Sequence, residues 1–144
     1  MKVHFKKLDP RAKIPQYMTP QSAGVDLSII LDSDLLVNPG QILTIQTGLS
    51  MEMPEHFEAQ IRPRSGLSLK WPNYISNSPG TIDADFRGEI KIIFVNNTNT
   101  CITLTNGMRL AQMIFSKVEI PAIMEIDKLS NTERGDGGYG HTGM

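Results

Sequence analysis

Ile90-Lys91-Ile92-Ile93-Phe94-Val95-Asn96-Asn97, Ile102-Thr103-Leu104-Thr105-Asn106-Gly107 and Leu110-Ala111-Gln112-Met113-Ile114-Phe115-Ser116-Lys117-Val118 follow one another in quick succession. In each run apolar residues recur at every second position, the period of a strand with one face in a core, and an Asn-Asn or Asn-Gly turn closes two of them. Upstream the same alternation runs through Val25-Leu27-Ile29, Ile42 to Ile45 and Phe57-Ala59-Ile61. Asn38-Pro39-Gly40, Met53-Pro54, Ser78-Pro79-Gly80 and Arg87-Gly88 break the chain between runs. Many short strands with frequent turns predict an all-β sandwich or barrel and argue against βαβ units. Only Ser65 to Lys70 reads as helical, for little more than a turn.

The chain of 144 residues is one domain's worth of protein. Its 14 Lys+Arg and 15 Asp+Glu leave a net charge of -1, so it lacks the excess of cations that holds long nucleic acid. No nucleic-acid partner is expected. No apolar stretch approaches the roughly 20 residues that span a bilayer, and the N-terminus has no signal-peptide core. A soluble, cytoplasmic protein without a membrane partner is expected. The single cysteine, Cys101, rules out an intrachain disulfide and reads as a small core residue.

Composition shifts after about Lys128, which divides a body of residues 1–127 from an arm of residues 128–144. In Arg134-Gly135-Asp136-Gly137-Gly138-Tyr139-Gly140-His141-Thr142-Gly143-Met144 the glycines disfavour regular structure. The arm is expected to be flexible. Its arginine, aromatic ring, imidazole and hydroxyl suit closure over a ligand that is anionic at one end and flat at the other, as a nucleotide is.

Three internal constellations carry chemistry. In Arg62-Pro63-Arg64-Ser65-Gly66-Leu67 a guanidinium, a hydroxyl and the amides that open a helical turn form an anion pocket, or else simply end a strand and cap a helix. The stretch from Asn77 to Lys91 reads as a β-hairpin that presents Asp83 on its first arm and returns near Glu89. The Asn77 amide and unpaired backbone groups there suit the edge of a uracil-type base. Asp83, between Ile82 and Ala84, reads as a partly desolvated carboxylate able to deprotonate a water, or as ordinary turn chemistry. In Gly107-Met108-Arg109-Leu110-Ala111-Gln112, the Gln112 amide sits among apolar residues and needs partners, a phosphate oxygen or water among them.

With Ala23-Gly24-Val25-Asp26-Leu27, these strings stand in the order and spacing of the five motifs of the homotrimeric deoxyuridine triphosphatases (dUTP pyrophosphatases), and the chain resembles that family over nearly its whole length. The resemblance implies a jelly-roll-like β-barrel subunit of the β-clip kind. It also implies a homotrimer whose active sites lie between subunits and are closed by a neighbour's arm. The implied reaction converts dUTP to dUMP and pyrophosphate, supplying dUMP for thymidylate synthesis and limiting uracil in DNA. By resemblance, Asp83 activates the water that attacks the α-phosphorus and receives the sugar 3′-hydroxyl. Asn77, Thr81, Ile82 and Lys91 line the uracil and sugar pocket. Arg64, Ser65, Gly66 and Gln112 hold the phosphates, joined by Arg134, His141 and Thr142, while Tyr139 stacks on the uracil. Asp26 holds Mg2+ through water or ties down its strand, and Arg109 pairs with a carboxylate of the site.

Two positions depart from the family pattern. Phe86 stands where Tyr is usual, which keeps the ring that lies against the sugar but removes its phenol. Met108 stands where an acid often precedes the motif's arginine. A dCTP deaminase of the same fold is the nearest rival, disfavoured by the Arg134-to-Gly140 pattern. A non-enzymatic jelly roll would leave Asp83, Arg64, Gln112 and the arm without a common role.

Overall fold

The computed structural model describes residues 1–139 and 141. Ten strands follow in the order β1 (His4–Lys7), β2 (Gly24–Ser28), β3 (Leu35–Val37), β4 (Ile42–Gln46), β5 (Leu49–Glu52), β6 (Phe57–Pro63), β7 (Gly80–Ile82), β8 (Lys91–Val95), β9 (Ile102–Leu104) and β10 (Arg109–Lys117). One short helix, α1 (Ser65–Ser68), lies between β6 and β7. All pairings are antiparallel: β1 with β5, β3 with β9, β4 with β8, and a four-stranded sheet ordered β2-β10-β6-β7. No described helix is long and apolar enough to cross a membrane.

The period-two pattern accounts for the core. Val25 and Leu27 of β2, Ala59 and Ile61 of β6, Ile92 and Phe94 of β8, Ile102 and Leu104 of β9, and Ala111 and Met113 of β10 all turn inward and are buried. Their alternate neighbours Asp26, Arg62 and Gln112 therefore point to the other face of the four-stranded sheet. The outward direction of Asp26 and Gln112 is thus fixed by the same alternation that builds the core, while Arg64 lies one residue past the end of β6. Cys101 departs from expectation: it lies in the loop ahead of β9, exposed, with its thiol 3.4 Å from Asn38 Oδ1.

The expected hairpin between Asn77 and Lys91 does not form. β7 pairs with β6, with Ala59 opposite Ile82 and Ile61 opposite Gly80, whereas β8 pairs with β4. The two arms belong to different sheets, and residues 83–90 bridge them as a loop. That leaves β7 as an edge strand, with one side of its backbone unpaired.

After β10, Val118 N–H still donates to His56 O at 2.8 Å. Beyond it the chain carries exposed apolar side chains at Ile120, Ile123, Met124, Ile126 and Leu129. Among the described residues its hydrogen bonds are local, such as Gly135 N to Thr132 O and Arg134 Nε to Gly137 O.

Candidate active site

A pocket of about 470 Å³ opens where β2, β10 and the end of β6 meet, lined by Asp26, Arg64, Ser65, Gly66, Arg109 and Gln112 among others. At its centre Asp26 accepts from Arg64 Nε at 3.0 Å through one carboxylate oxygen and from Arg109 Nη1 at 2.9 Å through the other. The Asp26 side chain is 16% exposed, against 28% for Arg64 and 46% for Arg109. Two cations share one carboxylate, so the cradle keeps a net positive charge suited to phosphate. Arg109 thus pairs with a carboxylate of this pocket, as the family resemblance implied.

Arg64 is held at three further points. Its Nη1 donates to Arg109 O at 3.0 Å, its backbone N–H donates to Tyr74 Oη at 2.7 Å, and Ser68 Oγ donates to its carbonyl at 3.2 Å. Tyr74 in turn donates to Leu110 O at 2.8 Å. The phenol therefore bolts the start of α1 to the start of β10, and burial pushes its pKa above the ordinary value of 10.0. Trp71 and Phe94 pack on Tyr74 with ring centroids 6.0 Å away from it. Sequence reasoning passed over Tyr74. A tyrosine three residues after Trp71 and directly ahead of Ile75 is the available signal, because a buried phenol needs a hydrogen-bond partner.

Gln112 projects into the same pocket. Its Nε2 donates to Pro63 O at 2.8 Å, and a β-carbon at Gly24 would come within 2.7 Å of its Oε1. Gly24 thus clears the space that Gln112 occupies. The Pro63 bond uses one amide proton and leaves the other for a ligand. Ser65 and Gly66 are exposed on the first turn of α1, ahead of Leu67, whose N–H donates to Arg64 O at 3.0 Å.

The remaining residues lie elsewhere. A second pocket, of about 280 Å³, is lined by Thr81, Ile82, Asp83, Phe86, Glu89 and Lys91 with parts of β4 and β8. Asn77 is not part of that lining; its amide packs against Gly80, the residue before Thr81, where a β-carbon would sit 2.8 Å from Nδ2. Asp83 is exposed in the isolated chain, so the partly desolvated carboxylate expected from Ile82 and Ala84 is not present in a single copy. The loop that follows is tied down. Phe86 N–H donates to Asp83 O at 3.2 Å, and Arg87 Nη1 donates to Ala84 O at 2.7 Å and Phe86 O at 3.1 Å. On the return side Glu89 Oε1 accepts from Gly48 N at 3.0 Å, Thr47 Oγ1 donates to Ile90 O at 2.6 Å, and Lys91 Nζ lies 3.7 Å from Glu89 Oε2.

The structure does not bring the two groups together within one chain. Ala59 lies opposite Ile82, which sets Asp83 level with Glu58, six residues before Arg64 along extended backbone. At about 3.3 Å per residue that is roughly 20 Å. On the arm, Arg134, Tyr139 and His141 are exposed. Thr142 lies outside the described residues. Among the described residues no three His, Cys, Asp or Glu side chains cluster as a metal cage.

A small all-β barrel with an arginine-built anion cradle on one surface and a carboxylate-bearing cleft on another defines the class of protein. The family model for dUTPase matches residues 10–143, and the chain belongs to that family. It is 48% identical over 143 residues to the deoxyuridine 5′-triphosphate nucleotidohydrolase of Rickettsia bellii, covering 99% of this chain and 95% of that one. It is 46% identical over 131 residues to the enzyme of the same name from Caldanaerobacter subterraneus subsp. tengcongensis, covering 91% and 88%. In fold it matches the dUTPase of Staphylococcus bacteriophage 80alpha, solved with dUPNHPP, at a TM-score of 0.88 and 21% identity over 99% of each chain. It also matches a dUTPase from phage phi11 of S. aureus, described as coordinating a structural Mg(II) ion, at a TM-score of 0.81 and 18% identity over 91% and 100% of the chains. The all-β fold expected from the alternating runs, and the jelly-roll architecture that the family resemblance implied, are thereby shown.

Proposed function

We propose that this dUTPase cleaves dUTP to dUMP and pyrophosphate with water activated by Asp83, at sites that copies of the chain complete for one another. The observation that carries the shared site is the distance of roughly 20 Å along β6 between Asp83 and the Arg64 cradle, far beyond hydrogen-bond reach of one scissile bond. A homotrimer with its sites between subunits supplies the cradle of one copy to the cleft of the next.

In the cleft, the unpaired edge of β7 at Thr81 and Ile82, with the Asn77 amide, reads the donor and acceptor pattern of uracil. Lys91 lines the sugar side, and Phe86 covers the sugar face. The triphosphate extends from the cleft into the neighbour's cradle, where Arg64, Ser65, Gly66 and Gln112 meet it. Asp83 takes a proton from water as its oxygen attacks the α-phosphorus. The bond from that phosphorus to the bridging oxygen breaks, and the electron pair leaves with pyrophosphate. Little covalent chemistry is asked of the protein, which positions the water and stabilises charge. The arm, residues 128–144, closes last: Tyr139 stacks on the base, Arg134, His141 and Thr142 reach the phosphates, and bulk water is excluded.

Both Asp26 oxygens already accept from arginines, so this carboxylate would hold Mg2+ through waters, in keeping with a cation that dehydrates reluctantly. When bound, the ion neutralises phosphate charge. The cytoplasm, where nucleotide triphosphates are consumed, is the proposed location.

The test is pyrophosphate release from dUTP with Mg2+, set beside dCTP, dTTP and UTP. Release from dUTP alone is expected. Ammonia from dCTP would instead support the deaminase, and no release from any of the four would leave a binding module.

A further inference from the structure

Phe86 lies on Gly88. A β-carbon at residue 88 would stand 2.6 Å from Phe86 Cζ and 2.9 Å from Cε2, where carbon atoms prefer about 3.5–4.0 Å. Gly88 does not occupy the left-handed region, so an added methyl meets the ring and not a backbone prohibition. The backbone around it has little freedom to retreat. Arg87 grips the carbonyls of Ala84 and Phe86, and Ile90 N–H donates to Leu49 O at 2.7 Å. The ring, 44% exposed, is the part that would move, by about 1 Å or more on the contact distances above.

From this geometry we propose that Gly88 is a specificity-determining positioning residue. Its missing side chain is the floor on which the Phe86 ring lies, and the ring's height there sets discrimination between deoxyribose and ribose. The proposal rests on the reading that this cleft takes the nucleoside of dUTP. Phe86 and Asp83 line the same pocket, so with a nucleoside bound there the ring would fill the space that a 2′-hydroxyl needs and offer that hydroxyl no acceptor. Phe86 carries no phenol that could anchor the ring to a polar partner in place of Gly88, so its position depends on this contact. A ring lifted from residue 88 swings toward solvent and opens the space at the sugar.

The experiment measures kcat/KM for dUTP and UTP in the wild type, Gly88→Ala, Phe86→Ala and the double variant, with melting temperatures for all four. Gly88→Ala is expected to lower the dUTP-to-UTP ratio by at least about tenfold, the scale on which a pocket misfit of this size acts. In the Phe86→Ala background the same substitution should change the ratio less than twofold, because the ring it displaces is gone. If Gly88→Ala melts low, the double variant should recover the lost degrees. An unchanged ratio in Gly88→Ala, a loss that persists without the ring, or a double variant that melts as low as the single one would each overturn the proposal. A wild type inactive on both nucleotides would overturn the nucleoside reading itself, whereas a selective wild type with an indifferent Gly88→Ala would refute only the role of Gly88.

Discussion

Replacing Asp26 with asparagine removes the one negative charge between two guanidinium groups. Asp26 Oδ1 accepts from Arg64 Nε and Oδ2 from Arg109 Nη1, and the asparagine amide can accept from one of them only while aiming its own N–H at the other. A hydrogen bond to a charged group contributes about 1.5–3 kcal/mol when well buried. Here the arginines keep 28% and 46% of their side-chain surface, so solvent screening reduces the sum to about 2 kcal/mol. For a chain of this length that lowers Tm by roughly 4–8 °C. The assay is thermal unfolding in EDTA and again with Mg2+, alongside kcat/KM for dUTP. The expected result is a lower Tm in both conditions, with weakened phosphate binding because Arg64 loses its anchor. A variant that melts like the wild type in EDTA and loses only Mg2+-dependent behaviour would refute the reasoning and return Asp26 to metal holding alone.

Asp83→Asn should cut turnover by about 10²–10⁴-fold, the usual contribution of a positioned general base, while the Kd of a non-hydrolysable dUTP analogue stays near the wild-type value; pre-steady-state kinetics with titration calorimetry checks both. Tyr74→Phe leaves Arg64 N–H and Leu110 O without their shared partner, and a loss of about 1–3 kcal/mol in denaturant unfolding is expected. Since burial raises the Tyr74 pKa in the folded chain, the native state holds this proton where the unfolded state releases it. Stability from this group is complete below pH 10.0 and falls as pH climbs through the raised value; alkaline melting curves of wild type and Tyr74→Phe should converge there. Truncation after Asn131 should leave a folded oligomer with severely reduced kcat/KM for dUTP, and full activity in that variant would reduce the arm to a bystander.

The alternating runs made the strands and their inward faces legible, and the same alternation turned Asp26 and Gln112 to the opposite face. Partners far away in the sequence were what local pattern could not show. Asp26 meets Arg64 across 38 positions and Arg109 across 83, and nothing in Ala23-Gly24-Val25-Asp26-Leu27 distinguishes a metal carboxylate from one already claimed by arginines. The stretch from Asn77 to Lys91 has the composition of a hairpin, yet β7 gains more by extending the β6 sheet and β8 by pairing with β4. Register between non-adjacent strands is decided by the whole core and not by the turn between them. Tyr74 and Gly88 act through what they touch in space, a carbonyl of β10 and an aromatic ring, and neither leaves a trace in hydrophobic period.

In the proposed assembly the base and the phosphate cradle of each dUTP site come from different copies. Asp83→Asn and Arg64→Gln are each expected to be nearly inactive alone, so the decisive measurement is dUTP hydrolysis after the two variants are unfolded together and refolded as an equal mixture. With random assortment, about a quarter of the sites combine an intact Asp83 from one copy with an intact Arg64 from another, and roughly that fraction of wild-type turnover should return. If each chain supplied both groups to its own site, the mixture would stay as inactive as its components.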